Sequence, residues 1–265
     1  MNRLFRSYLF VFLRSSLTWF FVAGLVLFVA IVMYSFYFIL PLFSPDAFYQ
    51  MEDTLSFPSM LFYVNFTILF NFSLVLGFFY CSMISGNEYI WHTIRVPLLL
   101  GHPRWKIVLS KYLAIMVIIF LATLIALITA ALVGLIGVKH INFPVLPIST
   151  EVVWLTMRTF LIGMFGIAAY MALTMAISTS TRSPLFGFSI SLLIFFIEKF
   201  FSSMIMPVPQ FAKYSLHFNY FNLVLVPEGY SYPAFHWPML IALCFYWLLF
   251  LLWMILSFQY QRINE

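Results

Sequence analysis

Glu88 and Arg95 are residues whose types and spacing point to recognition chemistry. They lie seven residues apart in Gly86-Asn87-Glu88-Tyr89-Ile90-Trp91-His92-Thr93-Ile94-Arg95, so a short helix over this stretch carries both charges on one face, about two turns apart. Tyr89 and Trp91 lie between them as aromatic anchors of the kind that dominate protein–protein contacts. Pro97, the run Leu98-Leu99-Leu100-Gly101-His102-Pro103-Arg104-Trp105-Lys106, and Lys111 complete the segment. The pattern predicts a charged, aromatic elbow offered to a partner; the plainer alternative is a solvated basic loop.

A second candidate pair, Arg158 and Glu198, falls beside or within long apolar runs. Counting the helical rise inward from Val152 and from Met206 places the two charges about 9 Å and about 12 Å deep, on consecutive antiparallel helices. A charge in hydrocarbon costs roughly 2.5–3.5 kcal/mol even on a lenient scale, so the two are expected to pair, either as a clamp between helices or as part of a route. Lys199 points to another face, where it can snorkel.

Catalytic and metal readings find little to use. The outer histidines His140, His217 and His236 have no regular ligand spacing, and the polar residues within apolar runs make no Ser-His-Asp arrangement or carboxylate pair. No Gly-x-x-x-x-Gly-Lys-Ser/Thr loop occurs in the sequence, so the chain is not expected to bind or hydrolyse ATP through a P-loop. The expectation is therefore a chain with no catalytic residues, metal or cofactor of its own. Cys81 and Cys244 fall at opposite ends of the predicted spans, too far apart for a disulfide.

The elements that position these residues follow from composition. At 64% hydrophobic and 8% charged over 265 residues, the chain has more apolar surface than a soluble domain of its size can bury. Charge-free runs cover 15–45, 54–87, 112–138, 159–181 and 229–261, each longer than the roughly 20 residues that cross a bilayer. Residues 184–206 supply another span if Glu198 and Lys199 lie in the membrane, Pro207 ending the helix. The runs are continuous rather than alternating, which favours helices over a barrel. The first run is too long, and too aromatic at its end, for a cleaved secretory signal.

The prediction is an all-α membrane protein with one transmembrane domain over 1–265 and spans near 17–40, 57–84, 112–138, 152–178, 184–206 and 237–259. A cytoplasmic loop occupies 85–111. Residues 1–16 read as an interfacial helix, with Arg3, Ser7 and Arg14 on one side and Phe5, Leu9 and Phe12 on another, or as a basic flank of the first span. Between the last two spans, Pro207 to Trp237 is too apolar for a free outer loop, so short re-entrant helices are expected before the sixth span. With both termini in the cytoplasm, nine of the thirteen Lys and Arg fall inside, and six of the eight acidic residues fall outside, as the positive-inside rule requires. The basic balance thus reports topology, and with no soluble segment longer than a loop no nucleic-acid partner is expected.

The 85–111 segment resembles the cytoplasmic loop of ABC-2 type transporter permeases. In that family an acidic residue precedes a Gly-Thr-hydrophobic-Arg segment, followed by Leu-rich residues, a Pro-small-Arg turn and a Lys at the next span. Glu88, Thr93, Arg95, Pro103, Arg104 and Lys111 match; His92 stands where Gly is common, Pro97 interrupts the Leu-rich stretch and Trp105 follows the Arg. The Ser178-Thr179-Ser180-Thr181-Arg182-Ser183-Pro184 turn also looks familial. The resemblance implies an exporter permease of the plasma membrane for an amphipathic or hydrophobic substrate such as an antimicrobial peptide, drug or lipid-like molecule. Its loop would carry a coupling helix, with Glu88, Tyr89, Trp91, Thr93, Arg95 and Arg104 as coupling residues. The implied partners are a nucleotide-binding ATPase subunit holding ATP and Mg, a second six-span permease, and membrane lipid. The alternatives left open are a membrane immunity or assembly protein and a gradient-driven carrier.

Overall fold

A computed structural model of the chain describes residues 2–43, 70–91, 93, 95–140, 150–205 and 237–260, and the regular elements among them are helices. The first, α1 (Asn2–Arg14), is a helix of its own. It buries Leu4 and Phe12 while Arg3, Arg6 and Arg14 stay exposed, the two-sided pattern of an interfacial helix. Ser15 is extended, which ends α1 and starts α2 (Ser16–Tyr34). The corner is fastened by Thr18, whose hydroxyl donates to the Phe12 carbonyl at 2.6 Å and meets the Tyr80 hydroxyl at 2.8 Å, satisfying one of the carbonyls that every helix end leaves unpaired.

Near its far end α2 passes into a π turn, Ser35–Ile39, and continues as α3 (Leu40–Phe43). The buried Tyr37 in that turn lies against Gly137, where an added Cβ would strike the Tyr37 ring. Glycine there is what lets the two helices close. The remaining helices are α4 (Phe70–Ile90), α5 (Arg95–Leu99), α6 (Arg104–His140), α7 (Thr150–Thr181), α8 (Pro184–Ile205) and α9 (Trp237–Tyr260).

Among the described residues four segments are long and apolar enough to cross a membrane: Ser16–Phe43, Arg104–His140, Thr156–Thr181 and Leu240–Tyr260. They correspond to the first, third, fourth and sixth predicted spans. α6, at 37 residues, extends for about 55 Å, well beyond a hydrocarbon core of roughly 30 Å, so its basic ends project. α8 coincides with the predicted 184–206 segment, and α4 occupies the second one from Phe70 onward. The predicted 57–84 span begins outside the described residues, as do the first outer loop and the re-entrant helices expected before the sixth span.

Helix directions alternate. Contacts between the start of α2 and the later part of α4, between the end of α4 and the start of α6, and between the start of α6 and the end of α9 put these ends on the α1 side. At the opposite side Phe38 stacks on His140 with ring centroids 4.9 Å apart. The centre is α7, which packs against α4, α8 and α9 and is 89% buried over its most apolar stretch, against 17% for α9. Its small residues Gly163, Gly166, Ala169, Ala172 and Ala176 are buried and allow the close approach that drives helix packing in lipid. A three-helix link crosses this core: Trp247 Nε1 on α9 donates to the Tyr112 hydroxyl on α6, which donates to the Ala168 carbonyl on α7, both at 2.8 Å.

Candidate partner-docking site

The helix ends on the α1 side meet around one buried ion pair. Glu88 sits in the last turn of α4 and Lys111 two turns into α6; Nζ lies 2.9 Å from Oε2, with the side chains 3% exposed for Lys111 and 18% for Glu88. The short contact pairs the two opposite charges directly. Neither charge would be tolerated alone in this position, because an uncompensated buried ion costs several kcal/mol.

Two phenols flank the pair. Burial, and then the Glu88 charge, push both the Tyr8 and the Tyr89 hydroxyls above the ordinary tyrosine range. For Tyr89 the positive charges of Arg182 and Arg104 act against that rise. Both phenols stay neutral across the physiological range.

Further ties bind the same ends. Arg104 Nη1 donates to the Gln259 carbonyl at 2.8 Å, placing a cation on the last turn of α9, where the helix dipole favours it. Ser180 donates to Ser257 at 2.9 Å. α7 stops at Arg182, whose φ of 54° is left-handed, and Pro184 then opens α8 at a position where proline is preorganised for helix. Gly86 packs directly on Pro184: a Cβ there would fall on the proline backbone nitrogen.

From this anchored base the described residues between Ile90 and Trp105 present an apolar surface. Trp91 is 73% exposed, Leu99 86% and Leu100 70%, with Ile90, Val96 and Trp105 also exposed. The peptide doubles back at Gly101, whose φ of 76° is the left-handed conformation glycine adopts freely; His102 N donates to the Pro97 carbonyl at 3.3 Å. Exposed apolar residues grouped this closely and bordered by Arg104 and Lys106 are of the kind that interaction surfaces carry.

The predicted coupling residues therefore separate into two sets. Trp91 and Thr93 are exposed, whereas Glu88 and Tyr89 turn inward and Arg104 reaches back to α9. One expectation is corrected: Glu88 and Arg95 do not share a helix, since α4 runs through Glu88 to Ile90 and α5 begins at Arg95. The Arg95 side chain lies outside the described residues. The predicted loop 85–111 also contracts, because α4 keeps residues 85–90 and α6 takes 104–111. Lys111 is the residue that sequence reasoning undervalued. Its signal was a lone cation at the edge of an apolar run of 27 residues (112–138), a position where burial demands a counter-charge.

The second predicted pair is placed differently. Glu198 Oε2 accepts a hydrogen bond from the Tyr170 hydroxyl at 2.6 Å, which sets the level of Glu198 on α7. Arg158 lies on α7 twelve residues before Tyr170, about 18 Å of helix. The tight turn at 182–183 joins α7 to α8. Lys199 Nζ lies 6.0 Å from the centre of the Phe195 ring. No family model and no curated protein matches the chain.

Proposed function

We propose that the chain is the membrane-spanning subunit of an ATP-driven exporter of the plasma membrane, with six spans, cytoplasmic termini and an energy source in a separate nucleotide-binding subunit. The observation that carries this reading is the apolar elbow from Ile90 to Trp105, exposed at Trp91, Val96, Leu99 and Leu100 yet anchored through Glu88–Lys111 and Arg104–Gln259. An exposed patch joined to the chain by flexible loops could bind a partner but would transmit little force. Here a push on the elbow acts on α4, α6 and α9 together, while the buried α7 gives them a fixed body to move against.

Trp91, Thr93 and Arg95 make the outer contact in this reading, and Glu88, Tyr89 and Arg104 carry the movement inward. ATP and Mg belong to the partner, and a second six-span permease completes the pathway for an amphipathic or hydrophobic substrate. The test is purification of the full chain from its own membrane in mild detergent, followed by a nucleotide-hydrolysis assay. The wild-type chain brings down an ATPase, and Trp91→Ala and Leu99→Asp lose it while eluting from gel filtration as the wild type does. A chain that purifies without hydrolytic activity under every solubilisation condition sinks the proposal.

A further inference from the structure

Beside the elbow lies a cleft of about 730 Å³ between α1, the end of α4 and the 91–102 segment. Its size falls in the range of small-molecule sites, roughly 300–1,000 Å³. The more buried part of its lining is apolar, with Phe12, Leu17, Phe79, Met83 and Ile84, and the more exposed part carries Arg3, Ser7 and His102. Glu88 also lines the cleft, but its charge is met by Lys111 at 2.9 Å, which leaves the mouth net positive through Arg3.

We infer that this cleft binds an anionic glycerophospholipid of the leaflet that α1 lies in, with the phosphate at Arg3 and one acyl chain along Phe79 and Met83. Three observations select that occupant. First, α1 is a basic interfacial helix whose outward face exposes Phe10 and Leu13 beside Arg6 and Arg14, so the cleft opens at headgroup level. Second, Ser15, Ser16 and Leu17 line the cleft, and Trp19 and Phe20, next in α2, are exposed at 62% and 71%, so the helix that borders the cleft carries a lipid-facing surface. Third, a positive rim over an apolar floor complements a molecule with a phosphate at one end and a hydrocarbon tail at the other; a soluble anion would leave that floor wet. The inference stands on the membrane reading alone and holds whether or not an ATPase partner exists.

The test uses the full chain in phosphatidylcholine vesicles containing a minor fraction of phosphatidylglycerol with a diazirine on its acyl chain. After irradiation and digestion, adducts are expected on the peptides holding Leu17, Met83 and Ile84, in addition to the general labelling of outward residues such as Phe20 and Ile31. Arg3→Glu, at an exposed position, lowers the cleft adducts at least about fivefold, since one basic residue at an anionic surface is worth roughly that factor. Ser7→Trp, which places a bulky ring at the mouth beside Arg3, lowers them as well, and the outward labelling stays constant in both. Cleft labelling that ignores both variants overturns the inference, as does equal labelling by the diazirine form of phosphatidylcholine. Displacement by inorganic phosphate alone, or a polypeptide cross-linked through Met83→Cys in place of lipid, overturns it in favour of a free anion or a protein occupant.

Discussion

Lys111 concentrates the electrostatic risk of the molecule, because an ammonium only 3% exposed depends on the single carboxylate 2.9 Å away. Removing one partner from such a pair typically costs about 3–5 kcal/mol, whereas replacing both by apolar groups of similar volume is often neutral. Lys111→Met and Glu88→Leu are therefore each expected to lower the thermal midpoint of the detergent-solubilised chain sharply, and the double variant Lys111→Met/Glu88→Leu to recover most of the loss. The non-additivity of that cycle is the measurement; losses that simply add would show that the two charges are not coupled. The same cycle separates anchoring from docking. If Glu88 acts through position, the double variant keeps both stability and partner binding, but if its charge touches the partner, the double variant is stable and does not bind. Tyr89 belongs to the same environment: its phenol is pushed up by burial and by Glu88, and it should therefore remain protonated well past the ordinary tyrosine range.

Helix contacts make a second, independent demand, which two glycines illustrate. At Gly86 an added methyl would fall on the Pro184 backbone, which cannot move without shifting the α7–α8 turn, so Gly86→Ala is expected to cost about 1–3 kcal/mol as overpacking. At Gly24 the nearest atom to such a methyl is Leu76 Cδ1 at 3.8 Å, an ordinary contact, so Gly24→Ala should be neutral or stabilising by up to about 1 kcal/mol. Ranking the two variants by thermal midpoint tests whether the α4–α8 contact is as tight as described. The elements themselves were legible in the sequence wherever a charge-free run had a clear stop: Arg104–His140 and Pro184–Ile205 follow from flanking charges and prolines. What the sequence did not reveal was register and local breaks. Nothing in residues 85–95 distinguishes one helix carrying both Glu88 and Arg95 from two helices meeting at 91–94, because Trp91, Thr93 and Ile94 are compatible with either. Likewise, the level of Glu198 on α7 is fixed by the two-residue turn and by Tyr170, a partner 28 positions away that no local pattern identifies. Of the candidate site, the exposed Trp91 was readable from its type and place, but the ion pair behind it required knowing that α4 and α6 meet.

Over the whole molecule, charge is distributed unevenly between the two ends of the bundle. Among the described residues Arg3, Arg6, Arg14, Arg104, Lys106, Lys111 and Arg182 lie on the α1 side, while Lys139, Arg158 and Lys199 lie toward the other end. Short basic segments are retained on the cytoplasmic side during insertion, so in the proposed topology the end carrying α1, the elbow and the cleft faces the cytoplasm. Single-cysteine variants on a Cys81→Ala/Cys244→Ser background test this directly with a membrane-impermeant maleimide. Trp91→Cys and Leu99→Cys, both at exposed positions, are expected to react only after the membrane is permeabilised, whereas His140→Cys, exposed at the other end of α6, reacts in intact cells. The reverse pattern would place the elbow outside, beyond the reach of any nucleotide-driven partner, and would remove the ATP-driven reading along with its coupling residues. The lipid inference would survive that outcome with its leaflet exchanged, because Arg3 and the apolar floor depend on α1 lying at an interface and not on which compartment that interface faces.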